Sequence, residues 1–552
     1  MSASKDTTRS IFRPVPLGAA DERAVLGPVA RKLGWARGAA LLALLATSYP
    51  VLGCDVIVDT SKRAPCATHA ECTQRFGEPS ACIESTCVKL LSEECSEVLP
   101  AGVLEKDNVI LFGFMGALKG DFASYGTPTK EGAQLAFEEV ESSLNGIPGV
   151  GNQGQRHVGM LVCDHGADPK KVARHLTEDV KVPAIIGPSF SGVTLQVLDV
   201  TVPAKTLLIS ASATSPALTD VADDGLFWRT CPSDVVQAEL LKFLLVDVGD
   251  SLRTSGTVPM NGDPQVALLY KDDSAGRGLQ LAATTMQDGP GAAPAVMNAY
   301  QDKYPNPETD TVDWTPHVNG AVDDQPNVIL ALGTSEFVQD LMPPIEAKWN
   351  ASLPRPWYLL PEGDRVVELT KYVTSMPSLN LASRVIGTAP GARKSPLYTQ
   401  FAGRFSGTFD HRQPGNLAEF AYDAAYLLLY ATAISGQPNP TGPELADALT
   451  HVHCGTKTVE AGPSTEFNNF FELAMGSKCI DFEGASGPLD FNTDTGEAVS
   501  DIAMWCLRTQ GEGFTFDPPL DSYYSASEQR IVWKNDKPLD FTVPNWCNLE
   551  GK

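Results

Sequence analysis

From Asn108 onward the sequence alternates between short apolar runs and amphipathic stretches. "NVILFGFMG" reads as a strand, and after a loop "TPTKEGAQLAFEEVESSL" opens with Thr127-Pro128 and sets Ala133, Ala136, Phe137, Val140 and Leu144 on one helical face. The same pairing recurs with "HVGMLVCD" and a helix from Pro169, then with "PAIIGP", "TLLISA", "VALLYKD", "NVILALG", "WYLLP" and "RVIGTAP". Strands that alternate with helices predict βαβ units, parallel sheets and crossovers of one hand. So many units exceed one sheet and predict two. A chain of 552 residues is also too long for one core.

Charge narrows the partners. Lys plus Arg total 42 against 67 Asp plus Glu, a formal net charge of −25. Such a surface repels phosphate backbones and anionic headgroups, which excludes nucleic acid as a partner.

The N-terminus reads as an address. Arg31, Lys32 and Arg37 precede the apolar "GAALLALLATSYPVLG", too short for a comfortable permanent span, and it ends at Val51-Leu52-Gly53-Cys54. This pattern resembles a bacterial lipobox. The resemblance implies a signal peptide over 1–53, lipid on Cys54, and a protein tethered to a membrane in the periplasm or at the cell surface. An ordinary signal peptide, with Cys54 as one more disulfide partner, is the alternative.

Export governs the remaining cysteines. Cys66, Cys72, Cys82, Cys87 and Cys95 crowd together among Pro, Gly and Ser, which fits a disulfide-closed, loop-rich knob. The first four are the disulfide candidates, with their pairing open; 54–106 is expected to be a Cys-rich segment and linker, and within it Cys66 to Cys95 is expected to be an independent appendage. Zinc is the competing reading through nearby His69, but no repeated C-x-x-C pair is present. With Cys54 lipidated, an odd number of cysteines remains, so at least one is free or pairs between chains.

Two loops stand out. "LLISASATSPAL" starts as a strand and breaks into six small residues, Ser210 to Ser215, and "GPSFSG" follows the apolar "AII". In open parallel sheets ligands bind beyond the carboxyl ends of strands, where loops expose amides and helix N-termini. Two neighbouring strand-end loops rich in hydroxyls would form a pocket for an anion such as a carboxylate. Other motifs carry no chemistry. "GVGNQG" follows a helix and precedes a strand, the reverse of the dinucleotide context, and "GPSFSG" lacks the final glycine and the His/Asp partners of a nucleophile elbow. "HVHC", His451 to Cys454, is read as structural.

The segments "GALKGDFASYGTPTKEGAQLAFEEV", "IIGPSFSGVTLQV", "ISASATSPALTD", "FWRTCPSD", "ALLYKDDSAGRG", "WYLLPEG", "FAYDAAYLLLYATA" and "GASGPLDFNTDTGE", in this order, resemble the branched-chain amino-acid type of periplasmic substrate-binding protein. The likeness spans about Asn108 to Thr509. It implies a two-lobed type I periplasmic-binding fold, each lobe a parallel sheet flanked by helices. By it, Ser191 donates to a ligand carboxylate, with Ser189 a nearby alternative; Ser212 offers its carbonyl to the ligand ammonium; Thr214 donates to the carboxylate; Glu362 is the acidic partner of the ammonium; and Tyr125, in the first strand-to-helix loop, flanks the ligand side chain. One departure is "DDSAG", where Ala275 stands in place of a tyrosine that many relatives carry.

The expected organisation is lobe 1 over 107–235 and 385–487, lobe 2 over 236–384 and 488–515, and a C-terminal extension over 516–552. The expected function is lipid-anchored capture of an amino acid, or a related amide or short peptide, for the permease and ATPase of an ABC importer. A ligand-sensing receptor subunit is the alternative. No catalytic group, cofactor or metal is implied.

Overall fold

In the computed structural model, the described residues are 65–549 apart from 286–299, 392–394, 465–466, 478, 512, 517–521, 534–535 and 544–545. The expected signal peptide over 1–53 and the expected lipid attachment site Cys54 lie outside them. No described helix is long and apolar enough to cross a membrane.

The alternation yields two eight-stranded sheets. At the centre of the first, five parallel strands run in spatial order His157–Asp164, Val109–Gly116, Ala184–Ile186, Leu207–Ser210, Phe227–Arg229. At the centre of the second, five parallel strands run Tyr300–Tyr304, Val266–Lys271, Val328–Leu332, Trp357–Leu360, Val385–Pro390. Numbered along the chain, both are 2-1-3-4-5, so each lobe is doubly wound with a switch point between its first and third strands. Apart from Tyr300–Tyr304, which lies at its sheet's edge and alternates, these strands are buried on both faces, which is why they read as continuous apolar runs.

Several expected boundaries shift. Val385–Pro390 is a lobe 2 strand, so the chain returns to lobe 1 after residue 390 and not at 385. The strands Asp490–Asn492 and Glu497–Val499 extend the lobe 1 sheet, so the third crossing follows residue 499 and not 487. Within the expected C-terminal extension, Tyr523–Ser525 and Arg530–Val532 add antiparallel strands to lobe 2, and Cys547 bonds Cys506 on the strand Ile502–Cys506. Each of these segments pairs with an open sheet edge, a long-range choice that local pattern does not encode.

The Cys-rich segment is likewise not independent. Its helix His69–Phe76 and hairpin Ser80–Ile83 with Thr86–Lys89 are closed by Cys66–Cys82 and Cys72–Cys87, the four expected cysteines. The Cys66, Cys72 and Cys87 sulfurs lie close enough together to suit a metal, but all three are spent in these bonds. Beyond them, Cys95–Leu99 pairs antiparallel with His157–Asp164, and Cys95 is bonded to Cys163. The segment therefore supplies an edge strand of lobe 1. Cys454 bonds Cys479, which agrees with a structural "HVHC". Cys231 is free and buried.

Candidate functional site

The carboxyl ends of the two central sheets face one cleft of about 340 Å³. All six sequence-derived residues, Tyr125, Ser189, Ser191, Ser212, Thr214 and Glu362, line it, as does Ala275. The lobes are hydrogen-bonded across it: Ser215 Oγ donates to the Ser274 carbonyl at 2.8 Å, and Asn416 Nδ2 donates to the Glu362 carbonyl at 3.2 Å.

Small residues in the lobe 1 loops allow tight interlocking. Gly187 has φ +112°, and a Cβ there would lie 2.0 Å from the Met115 carbonyl oxygen, so only glycine admits this approach. Ser189 Oγ accepts from Ala117 N–H at 3.1 Å, Ser191 Oγ accepts from Ser215 N–H at 3.1 Å, and Ser212 Oγ donates to the Ser189 carbonyl at 2.8 Å. Because Ser189 and Ser191 act here as acceptors, their hydroxyl protons remain to be donated. The helix Ser191–Thr201 begins with no side-chain cap, which leaves its first-turn N–H groups facing outward.

Beneath the Ser210–Ser215 loop lies Arg229, fully buried. It donates to the Ala213 and Ser215 carbonyls, both at 2.9 Å, and pairs with Glu497. Its Nη1 bridges these two carbonyls while Nη2 reaches Thr219 and Glu497, so one side chain pins the loop at two points. Tyr125 lies on the first turn of the helix Ala123–Leu144 and not in the preceding loop, because the helix starts four residues before Thr127. There its ring stacks on Phe190 at 5.1 Å, and Phe122 and His165 meet Phe190 edge-on, each at 5.8 Å.

The lobe 2 side is acidic. Glu362 is buried, and Gln237 Nε2 donates to its Oε2 at 2.5 Å while also contacting the Thr388 hydroxyl and carbonyl. Burial raises the Glu362 carboxyl above its usual range, against the opposing hydrogen bond from Gln237.

Sequence reasoning missed four charged lining groups, Asp234, Lys271, Asp273 and Glu308, and the lining rings of His165 and Phe190. Asp234 is buried at the start of the helix Asp234–Thr254, where Ser233 N-caps; burial first, and then the Glu362 charge, raise its carboxyl well above the ordinary value. Asp234 N–H donates to the Thr214 carbonyl at 2.8 Å, and the Thr214 hydroxyl lies beside the Asp234 carboxyl. Lys271 is buried between Asp273 at 3.0 Å and Glu308 at 3.4 Å. Burial works against its charge, but Glu336, Asp273 and Glu308 together push its pKa up. "FWRTCPSD" and "DDSAG" carried the signal for Asp234 and Asp273, as acids at strand ends; Glu308 lies in an irregular stretch that offers none.

Residues 109–346 match the sequence profile of the periplasmic binding protein family. The chain is 26% identical over 393 residues to the chemotactic signal transduction system substrate-binding protein BasB of Halobacterium salinarum, covering 68% of this chain and 80% of the relative. It is 31% identical over 144 residues to the Leu/Ile/Val-binding protein BraC3 of Rhizobium johnstonii, covering 26% of this chain and 37% of the relative. Among solved structures, the leucine-binding protein LivK of Thermotoga maritima superposes with TM-score 0.53 at 15% identity, covering 78% of this chain and all of that one. A solute-binding protein of an ABC transporter from Rhodopseudomonas palustris, in complex with 3,4-dihydroxybenzoic acid, superposes with TM-score 0.53 at 17% identity, covering 74% and 95%.

Proposed function

We propose that this chain is a ligand-binding protein of the type I periplasmic, branched-chain amino-acid type, and that its ligand is an amino acid or a related small polar molecule carrying both an ammonium and a carboxylate. One observation carries the reading. Hydroxyl donors and free helix N–H groups line one part of the interlobe cleft, at Ser189, Ser191 and the start of Ser191–Thr201, and buried carboxylates, Glu362 and Asp234, line another. A zwitterion satisfies both ends, whereas a simple carboxylate leaves the buried acids without a counter-charge. Ser212 contributes its carbonyl and Tyr125 its ring.

The captured ligand passes to the permease and ATPase of an ABC importer, from a protein held outside the cytoplasm by lipid on Cys54. Hinge closure over the cleft excludes water and gives the partner a ligand-dependent surface. A second reading, a sensory subunit with the same pocket, is favoured by the match over four-fifths of BasB.

A thermal-shift screen of the protein against amino acids, amides and aromatic acids tests the ligand class. A ligand bound by the native state alone stabilises it by RT ln(1 + [L]/Kd). The expected result is a rise in melting temperature with at least one amino acid. No shift with any amino acid, with a shift on an aromatic acid, would overturn the zwitterion reading. Cys54→Ser should move the protein from the detergent phase to the aqueous phase in a partition assay, and continued membrane association would refute the anchor.

A further inference from the structure

The zwitterion contacts leave the ligand's side chain open, and three other features of the cleft bear on it. His165, at the end of the strand His157–Asp164, lines the cleft and is 8% exposed, and its Nε2 has no partner among the described residues. Its Nδ1 lies 3.5 Å from the Gly166 carbonyl, which can only accept; the tautomer that this contact favours, with the proton on Nδ1, leaves a lone pair on Nε2. Burial lowers the pKa of the ring, against the Gly166 carbonyl, and so keeps it neutral. A buried lone pair of this kind calls for a donor.

The second feature is the aromatic wall. Phe190 abuts His165 at 5.8 Å and stacks on Tyr125 at 5.1 Å, and both Phe190 and Tyr125 line the cleft. Aromatic faces attract a cation as well as apolar surface.

The third is charge. The lining carboxylates are Asp234, Asp273, Glu308 and Glu362, against the single ammonium of Lys271, which is already shared between Asp273 and Glu308. Asp234 is 2% exposed, and its Oδ2 has no partner among the described residues. One ligand ammonium does not balance this set. Ala275, in place of a larger ring, leaves room on the lobe 2 side.

We propose that the ligand is a basic amino acid whose cationic side chain donates to His165 Nε2 along the Phe190 and Tyr125 wall, while its α-ammonium is taken by Glu362 and Asp234. This rests on the amino-acid reading above. A branched aliphatic side chain would leave the His165 lone pair buried and unpaired and would bring no charge to an acidic cleft.

Calorimetry on the full chain in detergent, with L-arginine, L-lysine, L-leucine and 4-hydroxybenzoate as probes, tests the assignment. Arginine or lysine should bind at least tenfold more tightly than leucine. His165→Leu should weaken that basic amino acid about tenfold or more and leave leucine no weaker, while His165→Gln, which keeps an acceptor, should restore most of the loss; thermal unfolding checks that each variant is folded. Leucine binding as tightly as arginine and lysine, or unchanged affinity for the basic amino acid in a folded His165→Leu, would overturn the side-chain assignment and leave the amino-acid reading standing. Binding of 4-hydroxybenzoate and of no amino acid, or of none of the four probes, would overturn both.

Discussion

Glu362 is held from both lobes, by Gln237 on its carboxylate and Asn416 on its carbonyl, and is buried deeply enough to resist ionisation. An arriving ammonium reverses that resistance by supplying the missing counter-charge. Glu362→Gln keeps shape and hydrogen bonding but removes the charge, so amino-acid affinity should fall about ten- to hundredfold, equivalent to about 1.5–3 kcal/mol, as calorimetry would register. The sign of the pH dependence follows from the raised carboxyls of Glu362 and Asp234. Both must be ionised to pair with an ammonium, so affinity should rise with pH from the ordinary carboxylate range towards neutrality, with protons released on binding. A flat profile in titrations between about pH 5 and 8 would count against their role. Arg229 acts at the same scale but on the fold. Arg229→Met would free two loop carbonyls and leave Glu497 unpaired, for an expected loss of about 3 kcal/mol in urea unfolding, together with weaker ligand binding as the Ser210–Ser215 loop loosens.

Among elements, the strand Cys95–Leu99 changes the account of the N-terminal region. It covers the open edge of His157–Asp164, the strand that His165 directly follows, and its disulfide to Cys163 closes a loop of 68 residues in sequence separation. Replacing both cysteines by serine should cost about 2–4 kcal/mol in the denaturation midpoint. Removing residues 65–99 should destabilise lobe 1 and disturb the cleft, since the edge strand would be lost with the knob. Unchanged stability and affinity after that deletion would restore the picture of an independent appendage. The helix Ala418–Ser435 shows the opposite case, an element whose apolar character alone announces its place. It is almost wholly buried, and Tyr422 and Tyr426 donate to Glu139 at 2.6 and 2.8 Å, with Arg404 on the other carboxylate oxygen at 2.8 Å.

At the scale of the whole molecule, the two doubly wound lobes place their switch points opposite one another. Buried acids near the interlobe crossings make overall stability depend on pH. Burial raises Glu419 and Asp423 each to about 7, Asp423 against the hydrogen bonds it accepts from Ala485 and Ser486 N–H at 2.8 and 2.7 Å. A raised carboxyl holds its proton more tightly in the native state than in the unfolded chain. The contribution is therefore fully present below about pH 4 and is lost as pH rises to about 7. Stability followed by chemical denaturation should fall across that window, and the fall should be smaller in Asp423→Asn, which no longer titrates.

The order of strands and helices was legible in local pattern, because a strand buried on both faces must be apolar throughout and a covering helix must be apolar on one side. The same holds for the cleft loops at Ser189, Ser191, Ser212 and Thr214, whose small residues mark close backbone approach at strand ends. What only the tertiary structure decided depends on pairing between distant segments. The placement of Cys95–Leu99, Asp490–Asn492 and Arg530–Val532 at sheet edges follows from which edges were left open, and no residue within those strands records that. The acidity of the cleft was hidden for the same reason. Asp234, Asp273 and Glu308 lie in different parts of the chain and read singly as solvated turn residues, and they become one electrostatic unit with Glu362 and Lys271 when the lobes bring them into the same low-dielectric space.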